Sequence, residues 1–82
     1  MPPFPKDCDY KRLITFLKRY EYEIIRQRGS HIRLHSDRYS HSITVPAHTP
    51  LKIGTLNIII ADVAARVGEK KQNLIEQLKE LS

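Results

Sequence analysis

The sequence predicts an α+β domain in which one helix, three short antiparallel strands and two further helices follow in that order. Three observations lead there. Apolar residues recur at helical spacing at Tyr10, Leu13, Leu17 and Tyr20, and again at Ile53, Leu56, Ile59, Ile60, Val63 and Val67. Between these stretches the pattern changes to alternation, from His31 to His35 and from Ser42 to Pro46. The chain has 82 residues, enough for one domain with a modest core. Helices gathered on one side of such a small sheet leave its other face open to solvent.

Residues 1–8 read as a flexible leader, because Pro2, Pro3 and Pro5 favour extended chain. Residues 9–82 then form the single domain. Asp9 is a good N-cap for the first helix, with Ile14 and Phe16 flanking its apolar stripe and Lys11, Arg12, Lys18 and Arg19 on its polar side. The first strand is expected over Tyr22–Arg28, the second over His31–His35 and the third over Ser42–Pro46. Gly29-Ser30 makes the first turn and Ser36 to His41 a polar connection. Pro46 ends the third strand, since proline donates nothing to a ladder. Thr49-Pro50 reads as a helix start, with a capping residue followed by proline at the first helical position. Gly68 stops that helix, and Glu69 to Leu81 forms the last one, with Leu74, Leu78 and Leu81 on one side.

The formal charge of +5 favours an acidic or phosphate-bearing partner through counterion release. The longest apolar run, Leu56 to Val67, is interrupted by Asn57, Asp62 and Arg66 and is too short to span a bilayer. No membrane association is expected. The lone cysteine, Cys8, has no internal partner for a disulfide and no companions for a zinc site. It reads as an idle, partly buried thiol in a reducing, cytoplasmic setting.

Strand parity locates the chemistry. If Ile32 and Leu34 face the helices, then His31, Arg33 and His35 share the open face, joined by Ser42 and Thr44 from the third strand. The four histidines, His31, His35, His41 and His48, all lie in this central region, with Arg26, Arg28, Arg33, Arg38 and Lys52 in or beside it. Three readings follow. A metal site is one, although His31 and His35 stand roughly 13 Å apart along a strand and have no cysteine or carboxylate cluster to help them. The second is plain surface histidines, most of all for His35 and His41. The third is acid–base chemistry on RNA. There an imidazole moves a proton to or from the sugar–phosphate backbone, and arginine or lysine stabilises charge at phosphorus. That third reading needs no metal and no cofactor.

Three motifs narrow these readings. Ile25-Arg26-Gln27-Arg28-Gly29-Ser30-His31 resembles the signature of HicA-like (YcfA-like) toxins, in which an amphipathic helix leads through a strand into Gly-Ser-His. Ile43-Thr44-Val45-Pro46-Ala47-His48 is similar to the family's strand ending in Val-Pro-x-His. Leu51-Lys52-Ile53-Gly54-Thr55-Leu56 is similar to its Lys-x-Gly-Thr-Leu helix start. The resemblance spans roughly residues 9 to 68. It implies a fold like a double-stranded-RNA-binding domain, here with an extra C-terminal helix. It also implies an mRNA-cleaving toxin whose catalytic histidine is His31, held in check by a HicB-type antitoxin. Arg28, Ser30, Arg33, His48 and Lys52 are the expected RNA contacts; Tyr39 is either a platform for an unpaired base or, more commonly for such a residue, an exposed loop tyrosine.

The chain departs from the family in three places. Glu21-Tyr22 stands where Gly-Phe is usual. The turn between the second and third strands lacks Asp-Gly. The last helix is longer than the usual tail; completing the core is the favoured role, with an antitoxin interface or self-association as the alternatives. The rival reading is a non-catalytic RNA-binding domain of the same fold. Such binders cluster lysines at the start of the second helix, where this chain has Lys52 alone. An adaptor module docking an acidic protein is a further alternative.

Overall fold

Asp9 starts the first helix, α1 (Tyr10–Arg19), by accepting a hydrogen bond from the Lys11 N–H at 3.0 Å. The structure, a computed structural model, describes residues 8–81. Residues 1–7 of the expected leader therefore lie outside the described residues. Its last residue, Cys8, is fully buried in the core, and burial pushes its thiol pKa up.

The end of α1 explains how the chain manages without a capping glycine. The Tyr22 N–H reaches the Leu17 carbonyl at 3.2 Å and the Glu21 N–H reaches that of Lys18 at 3.0 Å. These two bonds define a Schellman motif, and Glu21 takes its left-handed position at φ 64°. Leu17 and Tyr22, at the two ends of the motif, are both fully buried in the same core cluster. Tyr22 thus belongs to the helix cap, and the first strand, β1 (Glu23–Arg28), begins one residue later than expected.

β2 (His31–Ser36) and β3 (His41–Pro46) complete an antiparallel sheet of order β1-β2-β3. Its core side carries Ile32 and Leu34 from β2 and Ile43 and Val45 from β3, all buried. α1 and the second helix, α2 (Ile53–Val67), pack against β3. β1 packs mainly on β2, and all six of its residues are exposed, Ile24 and Ile25 included. A bulge at Ile25 shifts its register between Ile24 and Arg26.

His41 corrects the expectation of a surface histidine in a polar connection. It opens β3, is buried, and lies between the Tyr22 hydroxyl at 2.7 Å and the Asp62 carboxylate at 3.0 Å. With Asp62 ionised, Nε2 donates to it, and in the neutral ring Nδ1 accepts the Tyr22 proton. Both ring nitrogens are satisfied, as a buried imidazole requires. Burial, followed by the nearby Asp62 charge, pushes the Tyr22 phenol pKa up.

The start of α2 also differs from the expectation. Thr49-Pro50 is a cis peptide ahead of the helix, and Lys52 is the N-cap. The Thr49 hydroxyl donates to Asp9 (3.2 Å) instead of capping, while the buried Leu51 donates its N–H to the Cys8 carbonyl at 2.9 Å. These bonds tie the segment to the chain ahead of α1, so helix begins only beyond it. Ile53, expected on the buried face, is exposed because it is the first helical residue; the buried stripe starts at Leu56. Gly68, at φ 75°, ends α2 as expected.

The last helix, α3 (Lys71–Glu80), starts two residues later than expected because the Glu69 N–H still closes α2 on the Ala64 carbonyl. Leu74, Ile75 and Leu78 are fully buried, and Leu81 packs partly against them. Arg12 reaches across from α1 and donates to the Leu78 and Lys79 carbonyls at 3.1 and 2.8 Å, satisfying the open end of α3. The last helix is therefore part of the core.

Glu21 generates a stability prediction. A non-glycine residue in left-handed backbone costs about 1–2 kcal/mol, and the exposed ion pair of Glu21 with Arg38 returns little. Glu21→Gly is expected to stabilise the protein by about 0.5–1 kcal/mol, after the extra freedom that glycine gives the unfolded chain. Urea unfolding midpoints check this, and a lower midpoint for the variant would contradict the strain argument.

Candidate active site

The hairpin between β1 and β2 places the candidate catalytic histidine. Gly29 adopts φ 59°, a conformation that glycine takes without steric cost, and His31 follows as the first residue of β2. The Ser30 carbonyl accepts the Ala47 N–H at 2.6 Å, which ties this turn to the end of β3. His31 pairs with Arg28 on one side and Pro46 on the other. It sits at the mouth of the sheet, exposed, and its imidazole has no hydrogen-bond partner among the described residues.

The register continues along the same face. Arg33 lies across from Arg26 on β1 and Thr44 on β3, and donates from Nη1 to the Thr44 hydroxyl at 3.1 Å. Arg26, Arg28, His31 and Arg33 together line a shallow depression of about 210 Å³. The sheet thus brings together His31, Arg28 and Arg33 of the expected residues. Ser30, His48 and Lys52 do not line the depression. Ser30 is in the turn, and His48 lies two residues beyond Pro46, with its N–H on the Pro46 carbonyl at 2.9 Å. Lys52 is exposed at the start of α2. Arg26 is the residue that the sequence reading left out of the expected contacts. Its signal was parity with Arg28, two residues on.

The far end of the open face has a different character. His35 is held at both nitrogens, by the Ser42 hydroxyl at 2.7 Å and by Asp37 at 3.2 Å. It borders a larger hollow of about 460 Å³ that also takes in Lys18, Glu21, Glu23 and Arg38. Charges of both signs mix there, and the histidine is engaged. At the His31 end a free imidazole stands among guanidinium groups. That combination suits proton transfer beside a phosphate, because the arginines are fixed donors and an unpartnered imidazole nitrogen can take or give a proton. Tyr39, half-buried in the turn between β2 and β3, stacks on Tyr22 and carries Arg38 over its ring. Among the described residues no group of three or more His, Cys, Asp or Glu side chains converges on a metal position. No helix among them is long and apolar enough to cross a membrane.

Fold and site together define a small basic domain with a free histidine on an open, arginine-lined sheet. Residues 10–64, more than half of the chain, match the family described as the HicA toxin of bacterial toxin–antitoxin systems. The chain belongs to the HicA toxin family. It is a toxin of a toxin–antitoxin pair, and its family implies a cognate antitoxin as partner. Neither the curated proteins nor the solved structures give a match. The matched span contains every residue of the depression and ends before α3.

The turn offers a local test. A Cβ on Gly29 would meet nothing within 4 Å, so only its positive φ resists substitution. Gly29→Ala is expected to lose about 1 kcal/mol of stability, and Gly29→Asn, which tolerates left-handed backbone, distinctly less. Thermal unfolding of the two variants checks the order, and equal losses would contradict it.

Proposed function

We propose that this toxin is an endoribonuclease that cleaves mRNA without a metal ion, with His31 as its catalytic residue, and so inhibits translation. The observation that carries the reading is the His31 imidazole, unpartnered among the described residues, in a depression otherwise lined by Arg26, Arg28 and Arg33. An open sheet face suits a polymer substrate better than an enclosed metabolite. The reaction is attack of a ribose 2′-hydroxyl on the adjacent phosphorus, with loss of the 5′-oxygen. It leaves a cyclic phosphate on one fragment and a 5′-hydroxyl on the other. His31 acts as the base that takes the 2′-hydroxyl proton or as the acid that protonates the leaving oxygen. Arg28 offsets the charge that builds on the phosphoryl oxygens, and Arg33 contacts the RNA backbone beside it. Ser30, His48 and Lys52 contact the RNA to either side of the depression.

The partner in this reading is a HicB-type antitoxin of a type II system that covers His31, and the setting is the cytoplasm. The lone lysine at the start of α2, Lys52, supports cleavage over simple duplex binding, which uses a lysine cluster there.

The test compares wild type with His31→Ala on mixed-sequence RNA in excess chelator. Wild type is expected to cut and to leave cyclic phosphate ends, and the variant to lose on the order of 10²-fold or more in rate. Fragments ending in a 3′-hydroxyl, or RNA binding by both proteins with cleavage by neither, would sink the reading. The second outcome would favour the non-catalytic RNA-binding domain.

A further inference from the structure

The open face carries more positive charge than one scissile phosphate uses. Arg26 lies directly across from Arg33, and Arg28 directly across from His31. Like charges opposed on neighbouring strands destabilise a sheet. No ion pair among the described residues relieves Arg26, Arg28 or Arg33, and the Arg33 side chain bonds only to the neutral Thr44 hydroxyl. A guanidinium has five N–H donors, so Arg33 keeps most of its own for a ligand while Thr44 fixes its position. Such an arrangement is stabilised by an anion that bridges the pair.

Spacing shows which anion. The Arg26–Arg33 pair and the Arg28–His31 pair are two residues apart along β2, roughly 7 Å at the usual rise. That matches the order of the step between neighbouring phosphates in an extended RNA strand. We infer that Arg26 and Arg33 clamp the phosphodiester next to the one held at His31 and Arg28, so that the sheet grips two consecutive phosphates of single-stranded RNA. The inference rests on the cleavage reading for which of the two phosphates is attacked. The next pair along the sheet is Glu23 opposite His35, with Asp37 on the His35 ring. Those carboxylates repel a third phosphate, so the clamp ends at Arg26 and Arg33 and the strand leaves the sheet there.

The test uses the His31→Ala chain, which leaves RNA intact, and a short labelled single-stranded RNA titrated by fluorescence anisotropy over a range of salt. Arg26→Gln and Arg33→Gln, each added to that chain, are expected to weaken binding several-fold and to reduce the salt slope by about 0.7–1. Arg19→Gln, on the exposed side of α1, is expected to stay within twofold of the parent, and Glu23→Gln to bind more tightly. A slope for Arg26→Gln equal to that of Arg19→Gln would overturn the clamp. So would a melting temperature several degrees below the parent's, since it would give Arg26 a structural role. With His31 present, Arg26→Gln is expected to raise KM and leave kcat nearly unchanged. Arginine-dependent binding without cleavage by wild type would remove the cleavage reading and keep the clamp. Cleavage with an unchanged slope for Arg26→Gln would do the reverse. An acidic peptide that binds through Arg26 where RNA does not would overturn the clamp in favour of a protein ligand.

Discussion

Everything at the site depends on the burial of alternate residues in two strands. Ile32, Leu34, Ile43 and Val45 face the helices with almost no exposure. Because strand side chains alternate, that burial fixes His31, Arg33, His35, Ser42 and Thr44 on the other face. A slip of one residue in β2 would put Arg33 in the core and two apolar residues in water, so the register is strongly held. The helices reinforce it from one side only. α3 adds three fully buried apolar side chains to that layer, and Arg12 secures the far end of the helix. The open face is free for chemistry because all the packing is done on the reverse.

The chain uses glycine sparingly, and its placement bears on function. Two bends are made by residues with a Cβ in left-handed backbone, Glu21 at the end of α1 and Ser40 before β3. Both are braced locally. Glu21 is held by the Schellman bonds and pairs with Arg38 at 2.7 Å. In the other bend the buried Ser36 hydroxyl accepts the Tyr39 N–H. Glycine takes the left-handed position at the end of α2, at Gly68, and in the bend beside His31, where Gly29 turns the chain without a side chain to obstruct an approaching polymer.

Much of this was legible in the sequence, because periodicity reports burial directly. The helical spacing of Leu13 and Leu17, the Asp9 cap, the Gly68 stop and the parity of β2 all express local rules, and the structure follows them. Expectations failed where distant residues decide. His41 looks like any polar residue at a strand end; Tyr22 and Asp62, far away in sequence, make it a buried one. Thr49-Pro50 carries a helix-start signal, but the Thr49 hydroxyl is taken by Asp9 and Leu51 is tied to Cys8. Ile53 fits the helical stripe, yet it falls at the helix tip, ahead of the buried face. Arg26 was visible by parity with Arg28, but its partnership with Arg33 depends on the bulge at Ile25, which no local pattern announces.

The proposed activity requires the open sheet face at the His31 end to be the RNA-binding surface. The most direct measurement is backbone amide mapping by nuclear magnetic resonance, with isotopically labelled His31→Ala protein and a short single-stranded RNA. Shifts are expected at Arg26, Arg28, Ser30, Arg33, Ala47 and His48, and at the substituted position that follows Ser30, with α3 and the outer side of α1 unmoved. Shifts confined to α1 or α3, with the β1–β2 hairpin unchanged, would contradict it.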